Sequence, residues 1–283
     1  MAKILDGKLI SQKVKDEITN EVILYREKGL RQPCLAVVLV GDNEASKIYV
    51  RNKKRSCEQV GFVSLEYLLT EDAKQEELDF LIDTLNSDDT VDGILVQLPL
   101  PKHLDEQSVI NRISPKKDVD AFHPENVGRI MLGNPLFLPC TPSGVMRLLK
   151  EYDIQISGKE CVIVGRSNIV GKPMSLLLLG ENGTVTICHS RTRDLGEVTR
   201  RADILVVAIG VAKKITGDMI KESAVVVDVG MNRSEGALCG DTDFISCESK
   251  ASYITPVPGG VGPMTIAMLL QNTLTAYKIH MNI

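Results

Sequence analysis

Short runs of β-branched and aliphatic residues alternate along the chain with longer windows whose apolar positions recur every three or four residues. That alternation predicts parallel sheets joined by helical crossovers. After an amphipathic helix near residues 8–28, CLAVVLVG (34–41) reads as a buried strand, NEASKIYVRNKKRSCEQV (43–60) as a helix and VSLEYLL (63–69) as a second strand. AKQEELDFLIDTLN then predicts a helix, and GILVQLPLP (93–101) a third strand stopped by its prolines. The first third is thus a β-α-β-α-β unit in its own right.

A stretch dense in Pro, Gly and turn residues (114–144) follows, the best candidate for a domain boundary, and its length suggests function as well. TPSGVMRLLKEYD predicts a connecting helix. CVIVG, TVTICH, ILVVAIG and AVVVDVG are four more apolar strands spaced by helical segments, the better nucleotide-fold candidate of the two halves. YITPVPGGVGPM then reads as a glycine- and proline-rich loop and TIAMLLQNTLTAYKIH as a long helix, which either returns to the first unit or packs locally. The fold class is α/β, with two α/β domains: residues 1–140 completed by the returning helix 264–283, and residues 141–263.

Composition narrows the possible partners. A formal charge of −4 over 283 residues argues against general attraction to nucleic acid or an anionic membrane. The opening MAKILDGKLI lacks the apolar core of a secretory signal, and no apolar run nears the ~20 residues needed to cross a bilayer, so the cytosol is the expected compartment. Seven scattered cysteines without a CxxC pair read as small buried hydrophobes. Four histidines with no HExxH-like spacing make no case for a catalytic metal.

Candidate chemistry lies in both halves. Gly165 ends a strand and Gly171 opens a helix, one residue further apart than in the usual G-x-G-x-x-G turn. Main-chain N–H groups and a helix N-terminus could still meet a phosphate there, with Ser167 adding a hydroxyl and Arg166 a charge; a plain tight turn is the alternative. The next strand ends at Cys188-His189-Ser190-Arg191, where an NAD enzyme would carry a carboxylate. Ser190 and Arg191, with Arg193 nearby, suit the 2′-phosphate of NADP; a solvated loop arginine is the alternative. In the first unit Tyr49 and Lys53 share one helix face, and a lysine amine partly shielded from water could exchange protons near neutral pH. An RNKKR run is otherwise an ordinary solvated face. Asp118 and Asp120 are turn formers or ligand groups. Gln97 lies near the C-terminal end of a strand, where ligands of open α/β sheets collect.

Taken together, VGDNEASKIYVRNKKR (40–55), VDGILVQLPLP (91–101), PKKDVDAFHPENVGR (115–129), PCTPSG (139–144), GRSNIVGKP (165–173), DVGMNR (228–233), GDTDF (240–244) and TPVPGGVGPMT (255–265) are specific in order and spacing. On these residues the chain resembles the bifunctional methylenetetrahydrofolate dehydrogenase and methenyltetrahydrofolate cyclohydrolase family. The resemblance implies a catalytic domain completed by the C-terminal helix, a Rossmann-type NADP-binding domain, a cleft between them and a homodimer in one-carbon metabolism, serving purine, methionine and histidine biosynthesis. It further implies that Gly165, Arg166, Ser167, Ser190 and Met231 contact NADP, joined by Arg191 from the reading above. Tyr49, Lys53, Gln97 and Asp120 would face the folate, with Lys53 as proton shuttle, Tyr49 and Gln97 orienting it, and Asp120 gripping the pterin. The GGVGP segment (259–263) would let the backbone approach the substrate closely.

Three positions depart from the usual pattern of that family: Ala121 where glycine is common, Thr242 where valine is usual, and GVAKKITGDM, which lacks a proline and an aromatic residue. The last lies near the expected cofactor site and bears on NADP affinity. Rival readings are another two-domain NADP dehydrogenase, which leaves YVRNK, QLPLP and PGGVGPMT unexplained together, and a non-catalytic NADP sensor, which has no use for Tyr49 and Lys53.

Overall fold

The computed structural model describes residues 1–283 except Glu235, and leaves the Ala45 side chain undescribed. In chain order its elements are β1 (Lys3–Ile4), α1 (Gly7–Glu27), β2 (Cys34–Val40), α2 (Glu44–Val60), β3 (Val63–Leu69), α3 (Gln75–Ser87), β4 (Gly93–Val96), α4 (Glu106–Arg112), α5 (Pro124–Met131) and α6 (Cys140–Glu151). There follow β5 (Glu160–Val164), α7 (Gly171–Gly180), β6 (Thr184–Cys188), α8 (Leu195–Thr199), β7 (Ile204–Val207), β8 (Val225–Asp228), β9 (Asn232–Ser234), β10 (Ala237–Cys239), α9 (Phe244–Glu248), β11 (Tyr253–Ile254) and α10 (Val261–Met281). The chain packs as two compact units, Lys13–Leu138 with Ile266–Ile283, and Met1–Gln12 with Pro139–Thr265.

In the first of these units three parallel strands lie in the order β3-β2-β4. Every residue of the central β2 is buried, whereas the edge strand β3 has exposed positions along its length. Its core joins Ala36, Val38, Ile94 and Val96 of the sheet to Leu78, Ile82 and Leu85 of α3. Because the chain passes from β2 to β3 on one side and then to β4 on the other, the C-terminal ends of β2 and β4 form a topological switch point. The strand expected over 93–101 stops at Val96, although the Gln97 N–H still donates to Val38 O at 2.8 Å.

The C-terminal helix does join this unit. The Asn272 amide donates to the carbonyls of Val119 and Leu138, both at 2.8 Å, and Lys278 pairs with Glu21. The buried Tyr277 hydroxyl donates to Arg31 O at 2.8 Å, and its ring centroid lies 5.6 Å from that of Tyr25. Close by, the fully buried Asp92 carboxylate accepts both terminal nitrogens of Arg31 at 2.7 Å and the Cys34 N–H at 2.8 Å, and meets His280 Nδ1 at 3.0 Å.

In the other unit six parallel strands lie in the order β1-β11-β8-β7-β5-β6 over a core that includes Val162, Leu205, Val226 and Ile254. Here the structure differs from the expected division at the N-terminus. Residues 1–12 pack with this unit, because β1 pairs with β11, Lys3 opposite Tyr253 and Ile4 opposite Ile254. A two-residue strand is too short to show an alternating pattern. The short antiparallel β9–β10 pair is a further element outside the expected pattern, as is α5 inside the turn-rich 114–144 segment. The expected 259–263 loop is partly helix, since α10 already begins at Val261.

The partners of Asp92 and Tyr277 set two stability expectations. Tyr277→Phe removes one hydrogen bond and lowers unfolding free energy by about 1 kcal/mol. Asp92→Ala leaves the Cys34 N–H without its acceptor and removes the charged partner of the partly exposed Arg31, costing about 1.5–3 kcal/mol. Chemical denaturation of both variants checks the order.

Candidate active site

Helix α2 carries two of the folate-facing candidates. Asn43 Oδ1 caps its start by accepting the Ser46 N–H at 3.1 Å, and Gly61 at φ 81° ends it. Tyr49 and Lys53 stand one turn apart. Lys53 Nζ donates to Gln97 Oε1 at 2.9 Å. Gln97 is itself oriented, because its Nε2 donates to Leu98 O at 2.7 Å while its main-chain N–H extends the strand pairing beyond β4. The structure therefore brings Lys53 and Gln97 together at the switch point. Partial burial raises the Tyr49 phenol above its ordinary pKa, so it remains protonated and serves as a hydrogen-bonding group.

Asp120 is half-buried on a turn beside β4, where Asp118 forms an isolated parallel bridge to Ile94. The two acidic candidates of this turn divide sharply. The buried Asp118 carboxylate accepts Phe122 N–H at 3.2 Å, His123 N–H at 2.8 Å and the Asn126 amide at 2.8 Å, so its work is to shape the turn. Burial pushes its pKa up, and those donors oppose the shift. Ala121, where the resemblance leads one to expect glycine, takes φ 60°. That is the left-handed region in which glycine is unstrained.

On the dinucleotide side β5 runs into Gly165, whose N–H donates to Cys188 O at 2.9 Å. A Cβ on Gly165 would lie 2.3 Å from Ala208 O, and one on Gly171 would lie 2.3 Å from Gly165 O. Only glycine lets the turn fold this tightly. Ser167 Oγ accepts the N–H groups of Val170 and Gly171 at 3.1 and 3.3 Å, at the entry to α7. This refines its expected role, since the hydroxyl oxygen serves the helix and its O–H remains to donate. Arg166 is exposed beside it.

After β6 the turn 189–192 is held locally. His189 N–H donates to Thr192 Oγ1 at 2.8 Å, and Arg191 N–H donates to His189 Nδ1 at 3.1 Å. Ser190, Arg191 and Arg193 are all exposed here. Asp194, the nearest carboxylate in sequence, accepts the Glu197 N–H at 3.0 Å as the cap of α8. Met231 is half-exposed, its methyl 3.6 Å from the place where a Cβ on Gly262 would stand. These tight glycines, the helix N-terminus and the exposed Arg166, Ser190 and Arg191 fit a phosphate-bearing dinucleotide.

The aspartates of DVGMNR and GDTDF have structural roles that the motifs by themselves do not reveal. Asp228 ends β8 almost fully buried and accepts N–H groups from Gly230, Asp241 and Thr242 at 2.9, 3.0 and 2.7 Å. The Thr242 hydroxyl adds a fourth donor at 2.6 Å. Asp241 is buried as well and binds two other loops. An aspartate closing an apolar strand, with glycine two residues on, was the available signal.

A cavity of about 620 Å³ lies on the other face of α2, at the ends of β2 and β3, lined by Leu39, Val50, Arg51, Lys54, Leu68 and Glu71 among others. None of the four folate candidates lines it. It is a gap on the β3 side of β2, whereas Gln97 follows β4 on the other side.

Because Thr242 Oγ1 supplies one of the donors to the buried Asp228 carboxylate, Thr242→Val lowers stability by about 1.5–3 kcal/mol while Thr242→Ser retains most of it. Chemical denaturation distinguishes the two.

Comparison with known proteins places both halves. The catalytic-domain model of tetrahydrofolate dehydrogenase/cyclohydrolase matches residues 5–120, and its NAD(P)-binding-domain model matches residues 139–281. The bifunctional protein FolD of Agathobacter rectalis is 59% identical over 279 residues, covering 98% of this chain and 100% of that one. The crystal structure of the bifunctional FolD from Campylobacter jejuni superposes with a TM-score of 0.97 at 53% identity over 99% of each chain. The Trypanosoma brucei FolD structure, complexed with NADP cofactor and inhibitor, gives 0.95 at 38% identity over 100% of this chain and 99% of that one. With matches of this extent across both units, the chain belongs to the tetrahydrofolate dehydrogenase/cyclohydrolase family.

Proposed function

We propose that the protein oxidises 5,10-methylenetetrahydrofolate to the 5,10-methenyl form with NADP and then hydrolyses that product to 10-formyltetrahydrofolate. The observation that carries this reading is the Lys53–Gln97 pair at the switch point of one parallel sheet, in a chain whose other unit holds a tight glycine turn suited to a dinucleotide. A non-catalytic sensor would need only the second.

NADP, when bound, would supply the acceptor for a hydride from the methylene carbon of the folate. No side chain has to remove a proton in that step, so the protein contributes positioning. Gly165, Arg166, Ser167, Ser190, Arg191 and Met231 would hold the dinucleotide, with Arg191 and Ser190 toward the 2′-phosphate.

Hydrolysis asks more of the side chains. Water attacks the methenyl carbon, and Lys53, as the neutral amine, takes a proton from the attacking oxygen. The resulting ammonium returns that proton to the departing ring nitrogen as the carbon–nitrogen bond breaks, and the remaining hydroxyl proton passes to solvent, leaving the formyl group on the other nitrogen. Gln97 Oε1 aims the amine through the 2.9 Å bond, Tyr49 lies one turn away on the same helix, and Asp120 would accept the pterin N–H donors. A homodimer working in the cytosol, supplying formyl units to purine, methionine and histidine biosynthesis, completes the proposal.

A spectrophotometric assay with methylenetetrahydrofolate and NADP tests the activity directly. Lys53→Met should cut hydrolysis by roughly 10²- to 10⁴-fold and spare hydride transfer by comparison. Equal loss of both activities in a variant that still binds both ligands would remove the shuttle assignment. Arg191→Ala should raise the KM for NADP about ten- to a hundred-fold with little effect on NAD; equal weakening for both would end the 2′-phosphate assignment.

A further inference from the structure

The GDTDF motif hides an anion site that the chain fills itself. The Asp241 side chain is fully buried, and its Oδ2 accepts the N–H groups of Ile209 and Gly210 at 2.7 and 3.0 Å. Its Oδ1 accepts Val211 N–H at 2.9 Å and the Asn232 amide at 2.8 Å. Three successive main-chain N–H groups converging on one anion form the kind of nest that elsewhere receives a phosphate or other anion.

The loops so gathered are those leaving β7 and β8. The first begins at Ala208, whose carbonyl lies against Gly165 of the dinucleotide turn; the second carries Met231. Gly230 leaves room for the carboxylate, since a Cβ there would lie 2.2 Å from Asp241 Oδ1. Asp228 secures the arrangement from behind, accepting the Asp241 main-chain N–H at 3.0 Å. In open α/β sheets these strand ends are where a dinucleotide lies.

We propose that Asp241 is a positioning residue for the dehydrogenase half-reaction alone, its carboxylate setting the β7 and β8 loops in the one geometry that receives the cofactor. The inference rests on the bifunctional reading above. Hydrolysis of a supplied methenyl substrate needs no nicotinamide, and the Lys53–Gln97 pair belongs to the other unit. A change at Asp241 therefore separates the two activities, where a general loss of structure would lower both.

Asp241→Asn is the test, because whichever way the amide turns its NH₂ faces two donors. Titration with NADP should show a dissociation constant raised at least ~10-fold. Dehydrogenase kcat/KM should fall ~10- to 100-fold, and cyclohydrolase activity on supplied methenyltetrahydrofolate should stay within about two-fold of the parent. Unchanged NADP affinity, or a parallel fall of both activities, overturns the proposal. Should Asp241→Asn fold poorly, Asn232→Ala keeps the three main-chain donors and should raise the NADP dissociation constant ~3- to 10-fold with hydrolysis untouched; no change in NADP affinity there also counts against it. Direct titration keeps this distinct from the functional reading: a parent protein that binds NADP without turning over folate contradicts the activity, while the Asp241 effect on binding is still read.

Discussion

A carboxylate taken out of water must be met by several hydrogen-bond donors, and both units are arranged around that requirement. Of the four buried aspartates, Asp92 is met mainly by the side chains of Arg31 and His280, whereas Asp118, Asp228 and Asp241 draw donors chiefly from loop main chain. These last three carboxylates tie loops that carry no regular pairing of their own. Burial still drives the pKa of Asp118 and Asp228 upward, a sign that the donors offset the desolvation only in part.

Three of these ties sit beside candidate site residues. Asp118 shapes the turn that presents Asp120, while Asp228 and Asp241 gather the loops at the C-terminal ends of β7 and β8. Parallel sheets direct ligands to that end of their strands, so rigidity there becomes positioning of the reacting groups. Thr242 adds a donor to Asp228 and strengthens a tie that a valine there would leave to main-chain groups. For Lys53 the equivalent constraint is Gln97, whose own amide is fixed by Leu98.

Division of labour follows from the same architecture. Hydride transfer requires two molecules held in register, for which main-chain turns and glycines suffice. Hydrolysis requires a group that takes a proton and gives it back, and the lysine proposed for it stands on a helix face, bonded to Gln97 at a strand end. One unit supplies each need.

Periodicity alone determined a good deal: the strands around Val37, Ile163 and Val206, the helical face shared by Tyr49 and Lys53, and the strand–turn–helix at Gly165–Gly171. Such features depend on neighbours a few residues away, so they are written locally, and the ordered motifs were enough to name the family resemblance. Tertiary structure alone decided the rest. It placed residues 1–12 in the dinucleotide unit through β1, carried Asn272 and Tyr277 back to Val119 and Arg31, and separated the structural Asp118 from Asp120. It also revealed Asp228 and Asp241 as anchors. The role of a buried carboxylate depends on which donors surround it, and those donors come from chain segments whose meeting no local pattern records.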